Sequence, residues 1–444
     1  MDRRTLLKSS AALMGGTFLA GEPGEAVAQK VNKLSSPSDL KITDMRACTV
    51  AANYDYPIIR IDTNQGVYGL GEVRDAGVKG IALILKAHIL GKNPLQIDSI
   101  LSEIRQFAGQ GRMGGGYSAL DMALHDIAGK VYGVPAWRLI GEKRRDRIRI
   151  YCDTTGHKDP KIYAQRMLAR KKLGFTFFKM DLYTSLVADR PGAVHENGAA
   201  TEKGLGYLCE YIAAVRDAIG WDAPLAADHF GDLNVNDAIR YARAFEPYQL
   251  AWAEDLIDYR DWRGFKTISE ATTTPTLTGE DAFGLEEGFQ NLIENRAVDI
   301  IQPDPETSGA LRETKRIADY ADRHGIPTVL HFAGSPVGCM AAVHLAATLG
   351  NFIAMENHAV DMPWWQDLVT AVPKPIIQNG YIAVPDAPGL GVELNEAAVK
   401  EHLRYPGYFE PTPMYDDFII SGFRRVGPWP HYDEDGNYVN AMTY

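Results

Sequence analysis

The sequence predicts an α/β fold, a modified TIM-type (β/α) barrel preceded by an α+β capping domain, on three observations. Asp228, Glu254, Glu280, Asp304, His331 and Glu356 recur at intervals of 26, 26, 24, 27 and 25 residues, and each closes a short apolar run: LAAD, LAWAE, PTLTGE, VDIIQPD, TVLH and FIAME. Runs of this length separated by helix-length segments are the sequence form of a repeated strand–helix unit, and a closed ring of such units puts every strand end on one rim. From Arg147 onward eight such runs alternate with amphipathic stretches, whereas before it strands come first and helices follow consecutively. The second pattern marks a separate α+β unit.

Composition agrees with a large soluble core: 444 residues, 45% hydrophobic and 23% charged. A formal charge of −11 argues against a nucleic-acid partner, for which a basic face would be expected. Residues 1–28 read as a twin-arginine signal peptide. Arg3 and Arg4 precede Leu6, Leu7 and Lys8, a weakly apolar stretch follows, and Ala26-Val27-Ala28 is a small-residue cleavage site. The stretch contains Gly15, Gly16 and Thr17 and is too short for a membrane anchor of about 20 strongly apolar residues. Export to the periplasm is therefore expected. Cys48, Cys152, Cys209 and Cys339 are far apart and lack metal-ligand spacing, so they read as free thiols.

Residues 29–40 read as a linker and 41–146 as the cap. Within the cap, Ile42 to Ala52, Pro57 to Asp62 and Val67 to Val73 read as strands, with a Thr63-Asn64-Gln65-Gly66 turn between the last two. Ile81 to Leu90, Ile97 to Phe107 and Ser118 to Tyr132 read as helices, the last opened by a Ser118-x-x-Asp121 capping pattern. The barrel spans 147–375, with strands at Ile148 to Cys152, Phe175 to Lys179, Pro224 to Asp228, Leu250 to Glu254, Pro275 to Glu280, Val298 to Gln302, Thr328 to His331 and Phe352 to Glu356. The gap from Lys179 to Asp228 is twice the usual interval, and its polar middle, Leu186 to Gly204, predicts an excursion over the rim. Residues 376–444 no longer alternate; they are expected to return to the cap or to pack on a neighbour in a homo-oligomer.

Asp228, Glu254 and Glu280 end three consecutive strands and offer only oxygen ligands, which suits Mg²⁺ and not Zn²⁺. His331 and Asp304 end adjacent strands. A carboxylate on one imidazole nitrogen fixes the tautomer and raises the basicity of the other, as a proton-abstracting His needs. Lys179 is placed to neutralise a substrate carboxylate or its enolate. Glu356, if burial keeps it protonated, is placed to hydrogen-bond that enolate. Together these parts describe removal of a proton next to a carboxylate.

At these residues the chain resembles the enolase superfamily, specifically its mandelate-racemase-like branch and the sugar-acid dehydratases within it. The resemblance runs from about Ile42 to Leu403. It is carried by the segment Ser118 to Tyr151, by GFTFFKMD, AADHFG, WAEDL, LTGED, VDIIQPD and VLHFAGSP, and by AMENHAVDMPWW. It implies an enolase-like barrel under a cap, Mg²⁺ on Asp228, Glu254 and Glu280, His331 with Asp304 as base, and Glu356 near the enolate.

Two departures bear on the reaction. Many relatives carry Lys-x-Lys in the second strand, the second lysine being a base on the opposite face from the histidine; here that position is Asp181. Its loss disfavours a two-base racemase and favours elimination by His331, leaving Asp181 to contact a substrate hydroxyl. Some related dehydratases place an acidic histidine two residues after the first metal aspartate, whereas His229 follows Asp228 directly. Neighbours on a strand face opposite ways, so His229 reaches the site only if the strand has ended. Tyr54, Tyr56 and Arg112 of the cap, with Trp364 and Trp365, are the expected substrate-binding groups. The Gly111 to Gly116 loop lacks the signature of a phosphate loop.

The expected activity is dehydration of an aldonate- or uronate-like sugar acid to a 2-keto-3-deoxy acid. An epimerase or cycloisomerase sharing the enolate is the alternative enzyme. An inactive carbohydrate-binding homologue is the alternative outside catalysis.

Overall fold

The computed structural model describes residues 37–418, 431–432, 435 and 438–439. The expected export segment, residues 1–28, lies outside them. Of the expected linker only 37–40 is described, and it is packed rather than free: Pro37–Asp39 forms a 3₁₀ turn and Leu40 is buried.

The cap opens with an antiparallel sheet of β1 (Ile42–Ala51), β2 (Asp55–Thr63) and β3 (Tyr68–Glu72) in sequence order. The β2–β3 connection turns at Gly66, whose φ of +79° only glycine adopts without strain. The Ile81 to Leu90 segment is not one helix but two single turns, Gly80–Leu83 and Lys86–His88, and the next helix is regular only over Ile97–Ile104. The last cap helix begins at Gly115, three residues before the expected start, and runs to Tyr132.

Ser118 and Asp121 are therefore interior and cap a different helix. Ser118 Oγ accepts the Gly309 N–H at 3.1 Å and Asp121 Oδ2 accepts the Leu311 N–H at 2.7 Å, closing the N-terminus of the barrel helix Ala310–Arg323. The glycines before them let the cap touch the barrel: a Cβ on Gly115 would lie 3.0 Å from Arg74 N and 3.1 Å from Glu306 O.

Eight parallel strands then close a ring: β4 (Arg147–Cys152), β5 (Phe178–Asp181), β6 (Leu225–Asp228), β7 (Ala253–Glu254), β8 (Thr276–Thr278), β9 (Ile300–Ile301), β10 (Thr328–Leu330) and β11 (Phe352–Asn357). Closure is the β11–β4 pairing, with Glu356 opposite Tyr151. β5 lies later than expected, so Lys179 is inside the strand and Asp181 ends it. The long β5–β6 connection starts along the rim, where Leu182 N donates to Asp228 O and Thr184 Oγ1 to Phe230 O, before the helix Glu202–Ile219.

After the barrel, Tyr381–Ala383 pairs antiparallel with β4, and the chain returns to the cap, where Ala51 N donates to His402 O and Arg404 N to Thr49 O. All four cysteines are free. Among the described residues no helix is long and apolar enough to cross a membrane.

Candidate active site

The inward side of each barrel strand follows from its alternation. Tyr151, Phe177, Ala226, Trp252, Leu277, Ile300, Val329 and Ala354, one from each strand run, form a single buried layer inside the ring. Side chains two residues further on face the same way. Counting two from each gives Asp153, Lys179, Asp228, Glu254, Gly279, Gln302, His331 and Glu356. An apolar floor is thus followed by a mostly polar layer at the C-terminal rim, where barrel enzymes place their chemistry. Glu280 breaks this count, because Gly279, at φ +128°, turns the chain at the end of β8.

Asp228, Glu254 and Glu280 present carboxylate oxygens that all lie within 4.8 Å of one another. Lys179, fully buried, places Nζ 2.8 Å from Asp228 Oδ2, 3.2 Å from Glu254 Oε1 and 2.6 Å from Glu356 Oε1. Burial opposes its charge, but these carboxylates outweigh burial and raise its pKa well above the usual lysine range. Glu254 is pushed well above the carboxylate range by burial and by Asp228 beside it. One ammonium does not neutralise the seat. Crowded, buried, all-oxygen donors are the chemistry that a hard divalent cation fits.

His331 Nδ1–H donates to Asp304 Oδ2 at 2.5 Å, leaving Nε2 facing the seat, 3.3 Å from Glu280 Oε2 and 3.8 Å from Glu356 Oε2. Asp304 is held from below by the Glu306 N–H, as the N-cap of the single turn Pro305–Ser308. It is held from above by a residue that the sequence reading missed. Arg74, just past β3 in the cap and 1% exposed, donates from Nη1 to Asp304 Oδ2 at 2.6 Å and from Nη2 to Glu280 Oε1 at 3.1 Å, with Asp75 2.7 Å from its Nε. No local pattern marks an arginine 230 positions from its partner. Because removing one member of a buried charge cluster strands the others, Arg74→Met is expected to destabilise the protein by about 3–5 kcal/mol, read as a lower denaturant midpoint.

Glu356 ends inward on β11 and receives the Tyr151 O–H at 3.0 Å. The expectation that burial keeps it protonated is corrected: Lys179 and His358 outweigh burial and lower its pKa below the ordinary range. His358, also missed, lies two residues beyond Glu356, with Nε2 3.0 Å from Glu356 Oε1 and Nδ1 3.6 Å from Asp153 Oδ2. Burial pushes Asp153 up to about 6. The inward count would have found both His358 and Asp153.

β6 ends at Asp228, and His229 takes φ +62°, so the ring swings to the site. Its Nδ1 lies 2.9 Å from Asp228 Oδ2 and 3.3 Å from Asp181 Oδ1, and its side chain is 41% exposed. Of the cap residues, Tyr54 meets the His358 ring edge-on at 5.9 Å, and Arg112 reaches Asp281 at 2.9 Å and Glu280 at 3.5 Å.

Two expected substrate contacts, Tyr56 and Trp365, are corrected. Tyr56 is buried, its hydroxyl donating to Asn53 Oδ1, because it alternates into the core of the sheet. Trp365 is buried and donates to Gly334 O at 3.0 Å. Trp364 stacks on His402 of the returning C-terminal segment at 3.8 Å.

Residues 28–141 match the family model described as mandelate racemase / muconate lactonizing enzyme, N-terminal domain, and residues 163–398 the one described as enolase C-terminal domain-like. The chain is 35% identical over 378 residues to the D-xylonate dehydratase of Haloferax volcanii, covering 82% of this chain and 89% of that protein. A crystal structure of a mandelate racemase/muconate lactonizing enzyme-like protein from Rubrobacter xylanophilus superposes with a TM-score of 0.77 at 32% identity, covering 84% of this chain and 99% of the other. The 3,6-anhydro-D-galactonate cycloisomerase of Zobellia galactanivorans superposes with a TM-score of 0.71 at 27% identity, covering 82% and 100%. Both domains, the ring of eight strands and the carboxylate seat agree: the chain is an enzyme of the mandelate racemase/muconate lactonizing enzyme family, within the enolase superfamily.

Proposed function

We propose that the enzyme is a Mg²⁺-dependent hydro-lyase that removes water from an aldonate- or uronate-like sugar acid to give a 2-keto-3-deoxy acid. The observation that carries this is the asymmetry of the site. One imidazole is locked as a base by Asp304, while among the described residues the opposite flank offers no free lysine: Lys179 is tied to three carboxylates and position 181 is an aspartate. Inversion of a stereocentre by two bases needs one on each face; elimination needs one. The named D-xylonate dehydratase among its relatives supports a substrate of the same class.

In this reading Asp228, Glu254 and Glu280 hold Mg²⁺, which would supply Lewis-acid stabilisation to the substrate carboxylate as it takes on enolate charge. Nε2 of His331 removes the α-proton, since Asp304 fixes the hydrogen on Nδ1. Lys179 sets a permanent positive charge beside the developing enolate, in a buried site where such charge acts strongly. Tyr54 and Arg112, overhanging from the cap, contact the distal hydroxyls.

Incubating the purified protein and Mg²⁺ with a panel of acid sugars should yield 2-keto-3-deoxy acid from at least one. A cyclised or epimerised product without loss of water would replace this reading with the isomerase one, which the Zobellia neighbour's name keeps in view. The Arg3-Arg4 segment supports export to the periplasm, which fractionation of cells making the full chain tests.

A further inference from the structure

Elimination needs a proton for the departing hydroxyl as well as a base for the α-carbon. Two histidines besides His331 reach the site, and they stand on opposite flanks. His229 follows β6, four strands round the ring of eight from β10, whose end carries His331. His358 follows β11, next to β10, and its ring centroid is 5.8 Å from that of His331.

Resting on the dehydratase reading, the structure assigns His358 as the acid that protonates the leaving hydroxyl, on the same face as the proton taken by His331, so that water is lost by syn elimination. Four features of His358 carry this. Its position continues the inward count of β11, from Ala354 through Glu356. Its Nε2 is buried and forms an ion pair with Glu356 Oε1 at 3.0 Å without hydrogen-bond alignment. Asp153 faces its Nδ1, so the ring stands between a carboxylate and the pocket in the same order as the His331–Asp304 pair. The cap closes over it: Tyr54 packs on its ring and Asn53 Nδ2 donates to its carbonyl at 3.3 Å.

Its protonation suits the role. Burial alone would discharge the ring, but Asp153 and Glu356 outweigh burial and raise its pKa to about 9, so it carries a proton at neutral pH. His229 is held protonated as well, since Asp181 and Asp228 beside its Nδ1 outweigh burial and raise its pKa to about 11, but it differs from His358 in lying partly in solvent.

The step balances within the two imidazoles. His331 Nε2 takes the C2 proton, and the C2–H electron pair becomes the C1=C2 bond of the enolate. That pair then forms C2=C3 as the C3–O pair leaves with oxygen, which takes the Nε2 proton of His358 and departs as water. Ketonisation gives C3 the proton held by His331 and returns the enol O–H proton, through solvent, to His358. Both rings are restored, and no oxidant or reductant is consumed.

The test uses the intact enzyme with Mg²⁺ and an acid sugar that the wild type dehydrates, in D₂O. His358→Gln should lower 2-keto-3-deoxy acid formation by roughly 10²–10⁴-fold while deuterium still enters C2 of recovered substrate. It should also release fluoride from the 3-deoxy-3-fluoro analogue at close to the wild-type rate, because fluoride leaves without an acid. Asp153→Asn should show the same uncoupling in milder form. Dehydration within tenfold of wild type in His358→Gln would overturn the assignment. So would joint loss of exchange and dehydration, which marks a structural role, or uncoupling in His229→Gln instead, which marks anti elimination. Failure of the wild type to form any 2-keto-3-deoxy acid would instead refute the dehydratase reading itself.

Discussion

His331→Asn is expected to lower dehydration by roughly 10⁴-fold and to abolish deuterium exchange at the α-carbon. Asparagine places an amide N–H near the position of Nδ1, so Asp304 and Arg74 keep a hydrogen-bonded neighbour and the fold should survive; what disappears is the basic Nε2 facing the seat. Loss of both readouts separates this variant from His358→Gln, in which exchange should persist. Turnover above about a hundredth of wild type, below the range typical of a lost general base, would show that another group removes the proton.

Chelation of divalent cations should remove activity altogether, and added Mg²⁺ should restore it. The buried seat is crowded: Glu254 is pushed well above the carboxylate range, chiefly by burial and then by Asp228. A cation that binds the folded protein alone also stabilises it, by about 2.7 kcal/mol at a hundred times its Kd. The Tm should therefore rise with Mg²⁺ in the wild type and much less in Asp228→Asn or Glu280→Gln. Full activity in rigorously metal-free protein would refute the seat. The Tm comparison reads binding independently of turnover.

The barrel and most of its rim were legible in the sequence because both depend on local alternation. An apolar run closed by a chemically useful side chain repeats every 24–27 residues, and this period alone marks Asp228, Glu254, Glu280, Asp304, His331 and Glu356. Counting strand ends was less exact than counting inward positions. It placed Lys179 at the end of a strand that runs on to Asp181, and passed over Asp153 and His358 beside residues already singled out. The Ser118 and Asp121 pattern was read as a helix start because the same residue types cap helices; here they cap another helix, across the domain boundary.

The sequence by itself determined the eightfold barrel, the three-carboxylate seat and the His–Asp pair, since period and side-chain alternation follow from the backbone geometry of strands. Only the tertiary structure decided which charges meet. It drove Arg74 of the cap between Asp304 and Glu280, turned His229 inward through a left-handed backbone, lowered the pKa of Glu356 beside Lys179, and buried Tyr56 and Trp365. These outcomes depend on packing between distant segments and on the balance of desolvation against neighbouring charge, neither of which is set by the residues adjacent in the chain.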